Sequence, residues 1–277
     1  MNIKPNSIVL TSNMRDEYYI PEWIAYHTII GFDYIIIYDH YSNIPIKDTL
    51  AKYNFHNVYV IRDDNENTLK ITMMNKILNI LKNNKVRWSI HLDADEFFSL
   101  NGYYKNVKDF LLDYKNIDAI PITWIHFGTN YHSTTPNGLI IENFTRSTTK
   151  VHDNAIKTFI NINKAVKYTN PHFCQMEKGS NGMTLHGEKW TPCPFNKNNL
   201  GIKERVYINH YIYQSYEEYK RRKLGRKRDD TGKMRPVLTE KELHSRFNEV
   251  NNTFLKDNYT QPVKQYLKKY TNTTNLL

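Results

Sequence analysis

Val86-Arg87-Trp88-Ser89-Ile90-His91-Leu92-Asp93-Ala94-Asp95-Glu96-Phe97-Phe98 is the stretch on which the fold turns. Its first half is rich in β-favouring and bulky residues and reads as a strand. Three carboxylates in four residues follow, and then two phenylalanines. If the backbone stays extended, Asp93 and Asp95 point to the same side, and the small Ala94 between them limits crowding. Two hard oxygen ligands side by side at a strand end suit Mg²⁺ or Mn²⁺ carrying a diphosphate. A short acidic pattern by itself more often marks a solvated turn. Here an apolar strand runs in and aromatic residues follow, a setting in which unpaired charge is costly.

Upstream, the pattern alternates between strand and helix. Ser7–Leu10 reads as a short apolar strand leading into a polar loop, Thr11-Ser12-Asn13-Met14-Arg15-Asp16-Glu17. A helix follows, with Pro21 in its first turn, Ile20, Trp23, Ile24 and His27 at one-face spacing, and Gly31 just past its end. Asp33–Tyr38 and Val58–Ile61 read as buried strands ending in Asp39 and Arg62. Leu69, Met73, Ile77 and Ile80 repeat at helical spacing. This order predicts an α/β fold with a mostly parallel central sheet and helices on both faces. In such sheets ligands sit beyond the carboxyl ends of the strands. Thr11, Asn13, Asp39, Arg62, Asp93 and Asp95 all fall there, which points to a nucleotide site.

Downstream the pattern is less regular. A helix is predicted near Val107–Tyr114 and a strand at Ala119–Trp124, followed by strand-like stretches at Leu139–Phe144, Ile156–Ile162 and Val206–Tyr213. Asn170–Gly201 reads as a long loop able to act as a lid. Three helices close the chain, two of them opened by the capping boxes Ser215-x-x-Glu218 and Thr239-x-x-Glu242, and the tail from Thr271 reads as frayed. His210, late in its strand, is placed to complete the coordination sphere of an ion held by Asp95 if its imidazole is neutral. His172 and His186 are rivals for that place. Lys157 is placed to neutralise a phosphate, and Trp124 and Trp190 offer faces to a sugar ring. The run Lys220–Arg235 holds nine Lys and Arg and reads as a solvated basic helix or as a binder of a diphosphate, an acidic acceptor or a membrane surface.

The net charge of +10 over 277 residues implies an anionic partner: nucleotide phosphates, nucleic acid or a membrane surface. No known nucleic-acid module appears, so nucleic acid is not the expected partner. No apolar run reaches the length of a membrane span and no secretory leader is evident, so the expected setting is soluble, cytoplasmic or peripheral. Cys174 and Cys193 are too few for a disulfide scaffold or a cysteine zinc site.

Several pieces of the chain resemble glycosyltransferase family 92 and family 2-like enzymes of GT-A fold, collinearly over roughly residues 8–228. They are Asn13-Met14-Arg15-Asp16-Glu17, Glu22-Trp23-Ile24-Ala25-Tyr26-His27 with Gly31-Phe32-Asp33, Ile37-Tyr38-Asp39 with Ser42, and Leu92-Asp93-Ala94-Asp95-Glu96-Phe97. Looser pieces are Trp124-Ile125-His126-Phe127-Gly128, Lys157, Pro171-His172, and Asn209-His210-Tyr211 with Ser215. Gln214 departs from the family, where lysine usually precedes the serine; His40-Tyr41 departs where an Asn-type turn is common.

The resemblance implies one GT-A (Rossmann-like) glycosyltransferase domain over 1–277: a nucleotide-binding half at 1–105, an acceptor-side half at 106–213, and a helical C-terminal segment at 214–277. It implies Mn²⁺- or Mg²⁺-dependent, inverting transfer of a hexosyl-type sugar from a nucleotide-sugar donor, commonly UDP-linked, to a glycan or protein-linked acceptor. Thr11, Asn13, Arg15 and Asp39 would line the nucleoside pocket. Asp93 would face the ribose and the metal, Asp95 would ligate the metal, and His210 would close its shell. Glu142 and Asp153 are the candidates, by position, for the base that deprotonates the acceptor. The alternatives are a non-catalytic nucleotide-sugar or polyanion-binding protein on the same scaffold, and a nucleotidyltransferase, which also needs paired carboxylates and a divalent ion.

Overall fold

Strand and helix alternate through the first hundred residues of the computed structural model, which describes residues 1–150, 156–193, 205–226 and 233–272. The order is β1 (Ile8–Met14), α1 (Ile20–Ile29), β2 (Tyr34–His40), α2 (Ile46–Leu50), β3 (Val58–Asp63), α3 (Lys70–Asn83), β4 (Trp88–His91) and β5 (Glu96–Ser99). Then come α4 (Val107–Leu112), β6 (Ala119–His126), α5 (Ile140–Asn143), β7 (Arg146–Ser147), β8 (Ile156–Asn161), β9 (Ala165–Asn170), β10 (Phe173–Met176) and β11 (Tyr207–His210). The chain continues with α6 (Tyr216–Arg222), α7 (Glu240–His244), β12 (Val250–Asn251) and α8 (Phe254–Tyr270).

Eight strands form one sheet in the order β3-β2-β1-β4-β8-β6-β11-β5. Pairing is parallel through β3-β2-β1-β4 and between β6 and β11, and antiparallel where β8 and β5 join. The mostly parallel α/β sheet read from the sequence is therefore present, and it is covered on both faces as such sheets require. Trp23, Ile24 and Tyr26 of α1 pack with Phe97, Phe98 and Tyr211 in one core cluster. Met73, Ile77 and Leu81 of α3 pack with Val9, Ile36 and Ile160 in the other.

The decisive stretch is not one continuous strand. β4 and β5 lie four positions apart in the sheet, a distance of about 19 Å if the sheet were flat. The chain from His91 to Glu96 reaches at most about 18 Å when fully extended. It is instead turned, with Glu96 N–H donating to the Asp93 carbonyl at 3.0 Å. The sheet must curl so that its two ends meet at these acids. Asp93 and Asp95 accordingly sit in a tight turn rather than alternating along a strand.

Three other expectations are corrected. Leu139–Phe144 is not a strand: its centre is α5, because the carboxylate of Glu22 accepts hydrogen bonds from the Ile140 and Ile141 amides at 2.7 and 3.0 Å and caps the turn. Leu69 is not on the buried stripe of α3; it precedes the helix and is exposed. The loop expected from Asn170 starts instead with β10, which pairs with β9 in a hairpin. Thr239 and Glu242 form the expected capping box, while at α6 Ser215 caps Glu218 N–H and the Glu218 carboxylate pairs with Arg221. No helix among the described residues is long and apolar enough to cross a membrane.

Candidate active site

Topology brings the strand ends to one rim. β1, β2, β3, β4, β6 and β11 run the same way and finish there, and the antiparallel strands β5 and β8 begin there with Glu96 and Ile156-Lys157. His210 is in register with Glu96 on one side and His126 on the other, and Tyr211 N–H donates to the Asp95 carbonyl at 2.8 Å. The Asp93–Asp95 turn is thus tied to the end of β11.

Each acid of the turn has its own basic partners. Asp93 pairs with Lys157 Nζ at 3.1 Å and with Lys70 Nζ. Burial pushes the Asp93 carboxyl up, but Lys157 and Lys70 outweigh it and hold it well below the usual range. Asp95, 4% exposed, faces Arg222 Nη2 at 2.9 Å, Lys223 Nζ at 3.5 Å and His210 Nε2 at 3.5 Å. Burial again acts upward there and is overcome by the charges of Lys223 and Arg222, with His210 as a hydrogen-bond partner, so Asp95 is ionised. Glu96 is fully buried; its Oε2 accepts from Asp93 N–H at 2.9 Å and lies 3.4 Å from Lys157 Nζ. Burial raises Glu96 to about 8 against the pull of Lys157. Burial lowers His210 in spite of Asp95, which leaves a neutral imidazole in neutral solution.

Helix α1 fixes this turn from behind. Trp23 Nε1 donates to the Glu96 carbonyl at 2.8 Å and the Tyr26 hydroxyl donates to the Phe98 carbonyl at 2.7 Å. His27 Nε2 accepts from Phe98 N–H at 3.2 Å while Nδ1 donates to the Trp23 carbonyl at 2.8 Å, which defines the neutral tautomer. Burial depresses His27 to about 3. The Glu-Trp-x-x-Tyr-His piece is therefore a backbone clamp on β5.

The other residues singled out from the sequence are placed as follows. Thr11 is buried with its hydroxyl 2.9 Å from His91 Nδ1. Asn13 donates to the Lys70 carbonyl at 3.4 Å, and its Oδ1 is buried without a hydrogen bond among the described residues. Arg15 pairs with Glu66 at 2.8 Å and lies over the Tyr41 ring. Asp39 is fully buried, accepting from Ser42 and Ile46 amides and pairing with Arg62 at 3.0 Å, so it also caps α2. Arg62 further pairs with Asp64 and donates to the Ser42 carbonyl. Glu142 pairs with Lys264 of α8 at 2.8 Å, and that lysine holds it below the usual carboxylate range. Asp153 lies outside the described residues. His172 donates Nδ1–H to the Ile156 carbonyl at 2.9 Å; His186 is exposed in a loop. Trp124 lies on the rim, its ring 4.6 Å from that of His210, whereas Trp190 is buried against Ala119 and Ile156.

Sequence reading missed Lys70, Arg222 and Lys223 as partners of the two aspartates. The latter two stand in the basic run, but nothing in its spacing points to Asp95, which is 127 residues away from Arg222. In the sequence Glu96 is only a third acid, because its hydrogen bond with Asp93 N–H exists only in the turn.

Among the described residues no group of three or more His, Cys, Asp or Glu side chains is placed to hold a metal by itself. A hard cation of this class commonly takes one or two protein ligands and completes its shell with water and substrate phosphates. Asp95 Oδ1 and His210 Nε2, at 3.5 Å, approach the separation of about 3 Å between adjacent ligands of a six-coordinate ion. An ionised carboxylate beside a neutral imidazole is a donor set that fits Mn²⁺.

The sequence matches no family model and no curated protein. The link to families 92 and 2 therefore stays a resemblance of motifs. Three solved structures are similar in arrangement. A 4-diphosphocytidyl-2C-methyl-D-erythritol synthase from Anaerococcus prevotii is 12% identical, with a TM-score of 0.34 over 57% of this chain and 71% of that one. HddC from Yersinia pseudotuberculosis is 12% identical, with a TM-score of 0.39 over 78% and 97%. A CMP:2-keto-3-deoxy-manno-octonic acid synthetase complexed with CTP is 9% identical, with a TM-score of 0.28 over 87% and 83%. Likenesses this distant carry no argument about the chemistry of this chain.

Proposed function

We propose that this chain is a divalent-cation-assisted transferase of nucleotide-linked substrates, and specifically one that moves a sugar from a nucleoside-diphosphate donor, UDP-linked by resemblance, to a glycan or protein-linked acceptor. The observation that carries the proposal is the Asp93–Asp95 turn, clamped by α1 at the carboxyl rim of the sheet, with His210 and four basic side chains around it. Asp95 and His210 would hold the cation, with Asp93 beside them. A bound Mn²⁺ or Mg²⁺ would supply Lewis-acid stabilisation of the charge that develops on the departing phosphates. The chain's own Lys70, Lys157, Arg222 and Lys223 add fixed positive charge at the same place. Glu96 keeps the turn closed through Asp93 N–H.

Sugar transfer is favoured over nucleotidyl transfer by the quoted motifs and by the segment after β1. That segment, Arg15-Asp16-Glu17-Tyr18-Tyr19, has no glycine. Backbone amides that cradle a phosphate tail are usually freed by glycine-rich turns. The phosphates of this chain's substrate would instead rely on side chains and the cation. For an inverting transfer the acceptor hydroxyl needs a carboxylate base. Glu142, kept ionised by Lys264, and Asp153 are the candidates.

Nucleotidyl transfer is the second reading, because attack on a phosphate calls on the same paired acids and ion. Incubation with nucleotide sugars and Mn²⁺ separates the readings by product. Free nucleoside diphosphate supports sugar transfer, released pyrophosphate from nucleoside triphosphate and sugar phosphate supports nucleotidyl transfer, and nucleotide binding without product leaves a binding protein. Asp95→Asn should lower turnover at least about a hundredfold with the fold retained. Full turnover in that variant refutes the assignment of Asp95.

A further inference from the structure

The two basic residues on Asp95 come from the end of α6. Arg222 bridges Asp95, at 2.9 Å, and Glu17, at 3.1 Å, and its side chain is only 9% exposed. Lys223 follows it, 12% exposed, with Asp95 at 3.5 Å. Arg222 Nη1 is buried and makes no hydrogen bond among the described residues. A guanidinium donor kept from water without an acceptor is unfavourable unless an oxyanion comes to it.

The acids and bases of this cluster nearly offset one another. Asp93, Asp95 and Glu17 face Lys70, Lys157, Arg222 and Lys223, within one charge of balance. A divalent ion arriving alone would add positive charge to carboxylates that already have cations on them. A diphosphate arriving alone would add negative charge beside the same carboxylates. The two together add little net charge.

Resting on the function proposed above, we infer that Arg222 and Lys223 take the place of the divalent cation on Asp95 and transfer to the donor's phosphates when that cation binds. They are thus exchangeable counter-ions, and they make binding of metal and of diphosphate mutually dependent. By linkage, whatever the diphosphate does to metal affinity the metal does to diphosphate affinity.

The test is a Mn²⁺ titration of the full chain followed by the spin-resonance signal of free aqueous Mn²⁺, with and without UDP. Wild-type protein should bind Mn²⁺ weakly alone and about tenfold or more tightly with UDP. Lys223→Gln and Arg222→Gln should each bind Mn²⁺ without UDP about tenfold more tightly than wild type, and the gain from UDP should shrink. Lys268→Gln, exposed on α8, should behave as wild type. Thermal melts establish that each variant is folded, and Lys223→Gln leaves the Arg222 bridges intact if Arg222→Gln is too destabilised to titrate. Variants that bind Mn²⁺ alone no more tightly than a UDP-responsive wild type overturn the exchange and leave the transferase reading standing. A wild-type chain that binds no Mn²⁺ even with UDP overturns both.

Discussion

Lys157→Met removes the ammonium group while keeping most of the buried stem. The lysine is 1% exposed and its Nζ sits 3.1 Å from Asp93 and 3.4 Å from Glu96. Glu96 is fully buried, so the substitution leaves a carboxylate with no nearby cation and no water. Removing one partner of a buried ion pair costs about 3–5 kcal/mol. The low end applies near neutral pH, because Glu96, already pushed to about 8 by burial, can take up a proton. A loss of about 3 kcal/mol corresponds to a drop in Tm of roughly 6–12 °C for a chain of this size. The cost should grow from pH 6 to pH 8.5, where keeping Glu96 protonated becomes harder. Glu96→Gln in the same background removes the stranded charge, so the double variant should recover more than about 1 kcal/mol, measured by urea denaturation around the full mutant cycle. A Lys157→Met protein within about 1 kcal/mol of wild type, or a cycle with no coupling, would show that Lys157 is not the counter-ion of this turn.

Three further outcomes follow from the same geometry. Tyr26→Phe deletes the hydroxyl that donates to the Phe98 carbonyl at 2.7 Å and should cost about 1–2 kcal/mol in chemical denaturation; no loss would mean that the contact is not part of the clamp. Gly128→Ala should destabilise strongly, because a Cβ there would lie 2.4 Å from Asn248 Oδ1 and 2.7 Å from the Arg246 carbonyl; a Tm unchanged within 1–2 °C would refute this close approach. His27, at about 3 when folded against about 6.5 unfolded, lets the unfolded chain bind the extra proton. The contribution of His27 to stability should therefore be level above pH 6.5 and fall by up to about 1.4 kcal/mol per unit as the pH drops toward 3, so the difference between wild type and His27→Gln, if folded, should follow that curve in pH-dependent urea denaturation.

Where residues act through local period and caps, the sequence was legible. Pro21 in the first turn of α1, Gly31 in a left-handed conformation after it, and the Thr239 capping box all stand where local signals put them. The place of Asp39, Arg62, Asp93 and Asp95 at strand ends followed from strand order alone, whereas Thr11 lies inside β1, which runs on to Met14 instead of ending at Leu10. What was not legible depends on partners far along the chain. A short apolar run such as Ile140-Ile141 has no decisive period, and its helical turn is stabilised by Glu22, 118 residues earlier. Asp39 stands at a strand end where a ligand-facing acid is expected, but the Ile46 amide and Arg62 occupy its carboxylate. The extended geometry assumed for Asp93 and Asp95 fails because the sheet must curl to join β4 to β5.

The clamp from α1 has a physical reason beyond packing. β5 is last in the sheet order and pairs with β11 alone, so one of its edges would present unpaired backbone groups inside the protein. The Glu96 carbonyl and the Phe98 N–H and carbonyl face that free edge, where their hydrogen bonds go to α1 and not to β11. The groups on it are met by Trp23, Tyr26 and His27 side chains instead of by another strand. A strand there would cover the edge as well, but it would not tie the first backbone group after the Asp-x-Asp turn to a helix that itself begins just after β1. Polar side chains that look out of place on the buried part of α1 are thus accounted for by the strand they complete, and the acids at the head of that strand are held in place by the same three residues.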